Sequence, residues 1–269
     1  MKHLFLAGLI SLGFVASAQA GTLYAVRETG DVLVSIDTNT LAFTDIGALG
    51  VTYDFGGLAY DPNSDTLYMI DGRGAESLYT VDQNTGAASL IGSHGITDLF
   101  GLAFDSTNNV LYGSGESPSG LYTMNIATGA ASLVGDPGVG ADGLSYDSKN
   151  DRLVGNEAGP GDLYELNRST GAATLLFDGA FTNNNGMAYD PENDLFWAID
   201  WSGNLYTYDP NNGYARTTQL SGLGAYDGLT YITASVVNPV PEPSTFALLG
   251  MGGLALVGYG VRRKRQQAA

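Results

Sequence analysis

One short motif returns at nearly constant spacing through most of the chain, and a sequence built that way must stack copies of one small unit. It reads GLAYDPNSDTLY from Gly57, GLAFDSTNNVLY from Gly101, GLSYDSKNDRLV from Gly143 and GMAYDPENDLFW from Gly186, with GLTY returning at Gly228. The intervals are 44, 42, 43 and 42 residues. A second motif keeps the same period: SLYTVDQNTGAASLIG from Ser77, GLYTMNIATGAASLVG from Gly120, DLYELNRSTGAATLLF from Asp162 and NLYTYDPNNGYARTT from Asn204. VLVSIDTNTLAFTDIG from Val32 is a weaker copy.

Each unit carries four short β-forming runs separated by turn residues. In the first complete copy these are Leu58 to Tyr60, Thr66 to Ile70, Leu78 to Val81 and Ala88 to Ile91, divided by PNSD, GRGAE and QNTG. Gly86, Gly129, Gly171 and Gly213 share a turn position where positive φ suits glycine. Four strands per 42 to 44 residues is the size of a β-propeller blade, not of a helical repeat. The ends of the repeat are complementary. TLYAV after Gly21 corresponds to the second strand of a unit, and Gly228 to Ile232 supplies only the first. Joining them leaves no free sheet edge. The expected fold is therefore all-β: a five-bladed β-propeller of four-stranded blades over 21–235. A composite blade joins 228–235 to 22–50, and the others start at 57, 101, 143 and 186. Recurring Tyr68, Tyr79, Tyr112, Tyr122, Tyr164 and Tyr206 are expected between blades.

The two ends lie outside the repeat. Lys2 and His3 precede an apolar run, Leu4 to Val15, and Ala18-Gln19-Ala20 offers the small residues that signal peptidase accepts, so 1–20 reads as a signal peptide cleaved before Gly21. At the other end, a linker at 236–245 contains Pro241-Glu242-Pro243, uncharged residues follow at 246–261, and Arg262, Arg263, Lys264 and Arg265 open a basic tail at 262–269. Sixteen residues at about 1.5 Å rise span about 24 Å, a short transmembrane helix. The basic residues would stay cytoplasmic, leaving the repeat domain in the periplasm, tethered to the inner membrane. VPEPST, the glycine- and leucine-rich span and RRKR together resemble the PEP-CTERM sorting signal of Gram-negative bacteria. The resemblance covers Pro239 to Ala269. It implies recognition of Pro241, Glu242 and Pro243 by exosortase, transfer to the cell surface or matrix, and an association with exopolysaccharide and biofilm.

Between residues 21 and 238 stand six basic and 27 acidic residues, a formal net charge of −21. Such a field opposes nucleic acid and anionic lipid, which require clustered Lys and Arg. Carboxylates recur in two places. The first turn of each unit (Asp61 to Asp65, and its equivalents) has the spaced oxygens of a calcium loop, but Asp and Asn equally form turns by bonding their own backbone. Just before the inner strand, Asp54, Asp98, Asp142, Asn185 and Asp227 approach the repeat glycine, where a ring around the channel mouth would suit Ca²⁺. The register is imperfect: Asp54 and Asp98 lie three residues before the glycine and the others one.

Enzyme chemistry has few candidates. Cysteine is absent, His94 is the one histidine after the signal and reads as an exposed loop residue, and no nucleophile motif accompanies it. Trp197 and Trp201 flank Asp200 in one unit only. Trp197 reads as core, and Trp201, before a Ser-Gly turn, as a platform for a sugar ring. The sequence thus points to a non-enzymatic binding or structural protein, with exopolysaccharide or surface proteins as partners. A carbohydrate-active or calcium-assisted hydrolase at the channel mouth is the alternative.

Overall fold

A computed structural model describes residues 21–116, 118–180 and 184–233, with Tyr259 and Arg263 beyond them; of Asn184 and Asn185 only the backbone is described. Ala18, Ala20, the PEP motif, the expected span at 246–261 apart from Tyr259, and Arg262, Lys264 and Arg265 lie outside the described residues. Among the described residues no helix is long and apolar enough to cross a membrane.

Five four-stranded antiparallel sheets form the five expected blades. Their inner strands are Leu58–Asp61, Leu99–Asp105, Gly143–Asp147, Asn184–Asp190 and Tyr226–Ile232, here blades I to V. Each inner strand packs on the next, and the last returns to the first. Blade V is composite: Tyr226–Ile232 pairs with Thr22–Arg27, matching Leu23 to Tyr231 and Ala25 to Leu229. One end of the repeat thus closes on the other, and no sheet edge is left at the seam.

Burial falls from axis to rim. The inner strands of blades II and III are buried at every residue, whereas the outer strands of blades I to III have no fully buried residue. Five apolar cores result, each shared between neighbouring blades. Leu23, Val34 and Ile36 of blade V meet Trp197 and Ile199 of blade IV, and Tyr68 and Ile70 of blade I meet Leu102 and Tyr122 of blade II. Tyr79, Tyr112 and Tyr206 fill equivalent places. Because each core needs two blades, a single unit has no core of its own.

Two glycine repeats fit this packing. The repeat glycine is a close-approach residue: a Cβ on Gly57 would sit 2.6 Å from the Phe100 carbonyl oxygen, one on Gly143 3.0 Å from the Met187 nitrogen, and one on Gly186 2.8 Å from the Gly228 carbonyl carbon. The hairpin glycines do have positive φ, +79° at Gly86, +80° at Gly129 and +76° at Gly171, and they abut the backbone of Gly47, Gly92 and Gly135 in the preceding blade. In every blade the pairing of the third and outer strands slips by one residue, at Leu78/Tyr79 and its equivalents. At these slips Ile46, Ile91, Val134 and Leu176 pack against the cores.

Candidate functional site: the mouth where the inner strands begin

The residue before each repeat glycine is Gly56, Phe100, Asp142, Asn185 and Asp227. Four of these, Gly56, Phe100, Asp142 and Asp227, line a cavity of about 210 Å³. Register supplies a second set. Ile70, Ser114, Asn156 and Ile199 face the repeat glycines, and two residues further on come Gly72, Glu116, Ala158 and Trp201. Glu116, Ala158 and Trp201 join the lining, together with Phe55 and Arg73. A second, smaller cavity of about 70 Å³ lies between the inner strands.

Three aromatic rings make the apolar wall. Phe55 lies 5.9 Å from Phe100 and 4.7 Å from Trp201, centroid to centroid. Trp201 is 46% exposed, and its indole N–H donates to Glu28 at 2.8 Å, which fixes the ring in the loop. The Arg73 guanidinium stacks over Phe55 at 4.4 Å and Phe100 at 4.9 Å, and its Nε donates to Asp98 at 2.5 Å. Asp98 and the charge it carries raise the Arg73 pKa. Phe55 and Asp98 both have left-handed backbone, φ 53° and 58°, uncommon for side chains other than glycine.

The carboxyl groups divide by environment. Asp142 is buried and accepts from the Ala158 N–H at 2.7 Å; burial, then the charges of Glu116 and Glu157, push its pKa up to about 7. Asp227 is fully buried. Asp54 is exposed, and its backbone N–H donates to Asp71 at 3.3 Å. Asp71 holds the loop that carries Arg73, accepting from Gly74 N–H at 3.0 Å and Ala75 N–H at 2.6 Å. Beneath the loop, Tyr53 is buried and its hydroxyl has no hydrogen-bond partner among the described residues.

The expected ring of Asp54, Asp98, Asp142, Asn185 and Asp227 therefore does not assemble as one set. Asp54 and Asp98 stand on the loop before the inner strand, Asp98 is engaged by Arg73, and the Asn185 side chain lies outside the described residues. Among the described residues no three His, Cys, Asp or Glu side chains gather closely enough to hold a metal ion. His94, expected to be exposed, is 6% exposed instead. Its Nδ1 accepts from Ile96 N–H at 3.2 Å and its Nε2 meets the Asp71 carbonyl at 3.1 Å, so it braces the same loop, and burial lowers its pKa. Trp197 lies in the core and Trp201 at the mouth.

Sequence reading missed Phe55, Phe100, Arg73 and Glu116. A signal for Phe100 was present: aligning strictly on the repeat glycine puts it beside Asp142 and Asp227, whereas aligning on shared aspartates selects Asp98.

At the opposite end the turn carboxylates cap their own turns. Asp105 accepts from Thr107 and Asn108 N–H, Asp147 from Lys149 and Asn150 N–H, and Asp190 from Glu192 and Asn193 N–H, all between 2.9 and 3.1 Å.

The PEP-CTERM protein-sorting motif is matched over residues 239–265. It marks the chain as exported, directed to the cell surface and processed by exosortase. No curated protein matches the chain. Among solved structures, a protein of unknown function from Bacteroides thetaiotaomicron shares 19% identity at TM-score 0.56 over 78% of this chain. The chain spans 57% of that protein's length. A nidogen/laminin complex chain shares 14% identity at TM-score 0.55, covering 80% of this chain and 82% of its own. TolB from Acinetobacter baumannii shares 14% at 0.52, covering 80% and 67%. At these identities the likeness is one of fold.

Proposed function

We propose that this exported propeller is a binding protein of the cell surface or matrix, and that its mouth holds a sugar ring or chain end of an extracellular polysaccharide without cleaving it. The observation that carries this reading is the cavity walled by Phe55, Phe100 and Trp201 with carboxyl groups at its edge. Apolar ring faces cover the C–H face of a pyranose while carboxylates accept its hydroxyls, the usual division of labour in a small concave site. The test is co-sedimentation of the purified full-length protein with the producing organism's exopolysaccharide, followed by an assay for new reducing ends. Saturable binding without new ends, lost in Trp201→Ala, is the expected outcome. Absence of binding would sink the reading.

One observation favours a second reading. Asp142, with its pKa raised to about 7 and Glu116 nearby, has the character of a general acid in a glycosidase pair. New reducing ends that disappear in Asp142→Asn would establish a hydrolase instead.

A further inference from the structure

The mouth carries a charge imbalance that a neutral sugar would leave unused. Arg73 is the one cation among the described lining residues, and Asp98 already neutralises it. The other ionisable lining groups, Glu116, Asp142 and Asp227, are all carboxyls. The Trp201 N–H, the one donor on the aromatic wall, is given to Glu28. An anionic ligand would meet like charge here, inside a domain of net charge −21. A metal ion would meet carbon: calcium takes six to eight oxygens, and three of the walls are rings.

What such walls do favour is an organic cation, because aromatic faces attract ammonium and guanidinium groups and the carboxylates supply the counter-charge. Arg73 displays the arrangement within the protein itself, its guanidinium lying on Phe55 and Phe100 with Asp98 at 2.5 Å. We propose that the mouth selects an ammonium-bearing ligand, the free amine of an amino sugar in a partly deacetylated polysaccharide, seated against Trp201 and Phe55 with Asp142 and Glu116 as its counter-charges. This rests on the mouth being the ligand site and names the ligand class.

A pH signature follows. Asp142 faces Glu116, Glu157 and the Ala158 N–H, with Arg73 and Asp227 on the same cavity. Its pKa of about 7 leaves it mostly protonated near pH 6 and mostly ionised near pH 8. A permanent cation should therefore bind more tightly as pH rises through that range, releasing a proton from Asp142 as it does.

The experiment is calorimetry on the full-length protein with three probes: a glucosamine tetramer near pH 6, where its amines are charged, its N-acetylated counterpart, and tetramethylammonium near pH 6 and pH 8. The glucosamine tetramer should bind about tenfold more tightly than the acetylated one. Tetramethylammonium should gain about fivefold at the higher pH. Asp142→Asn should abolish that gain, and Glu116→Gln should weaken both cations while keeping it. Equal binding of the two tetramers would overturn the cation inference and leave the saccharide reading standing. Tetramethylammonium binding with neither tetramer bound would overturn the saccharide reading and the amino-sugar ligand with it, leaving only a preference for a cation. Binding of none of the three would overturn both.

Discussion

The two ends of the channel are built from the same repeat and have been put to different use. Where the inner strands finish, equivalent positions carry equivalent residues. Tyr60, Tyr146 and Tyr189 each donate to the aspartate five residues on, Asp65, Asp151 and Asp194, at 2.7 to 2.9 Å. Blade II has Phe104 in place of the tyrosine, and there the acceptor position is Asn109, without the charge. Ties cross from blade to blade, Tyr146 to Thr107 at 2.6 Å, Tyr231 to Glu192 at 2.9 Å, Lys149 to Asp194 and Arg168 to Asp105. Where the inner strands begin, equivalent positions differ in kind: glycine, phenylalanine, two aspartates and an asparagine. Repetition serves closure at one end, and its loss at the other leaves an asymmetric cavity. In a ring of like blades a single ligand site has to come from departures from the repeat.

The contrast can be broken at either end, and the largest loss of stability is expected at the regular one. Asp147 has no exposed side-chain surface and binds Lys149 and Asn150 N–H, the Asn150 side chain and Arg152, so Asp147→Ala should cost about 4 kcal/mol in chemical denaturation. A loss under about 1 kcal/mol would mean the turn reorganises freely. Gly57→Ala comes next, at about 3 kcal/mol, because its Cβ would meet the backbone of blade II; Gly50→Ala, with positive φ but open space, should cost only about 1 kcal/mol. Equal costs would remove the close-approach explanation.

At the mouth, Asp142 has its pKa raised in the folded state, so between about pH 4 and 7 the folded protein holds a proton that the unfolded chain has released. Its contribution is therefore present at the acid end of that window and declines as pH rises. Melting temperatures across this range should show Asp142→Asn gaining on the wild type by about 2 kcal/mol at the alkaline end. A constant difference would refute the linkage. Back at the regular end, Tyr60→Phe should cost about 1 kcal/mol, and Tyr60→Phe combined with Asp65→Asn, which reproduces the pairing of blade II, should recover part of it in a double-mutant cycle. Smallest for stability is Trp201→Ala, about 0.5 kcal/mol at its exposed position, although it should remove saccharide binding. If it unfolded the protein, the mouth would be part of the frame after all.

Much of the fold was legible in the sequence because a repeat announces its period, and the half-units at its two ends state how the ring closes. The mouth was legible only in part. Asp142, Asp227 and Trp201 stood out as a charge pattern and a rare residue, but Arg73 and Phe55 have no fixed place in the repeat, and Phe100, although it stands one before a repeat glycine, meets them only through the packing of blade II on blade I. His94 misled because SHG looks like a loop tip, and the loop folds its imidazole under Asp71 to satisfy two backbone groups.

By itself, then, the sequence determined the number of blades, the strands in each, the seam and the sorting signal, since these follow from local periodicity and contiguous motifs. Only the tertiary structure decided which carboxylates cap turns, which is engaged by arginine and which stands beside aromatic rings. Those outcomes depend on distances between residues of different blades, which no local pattern encodes.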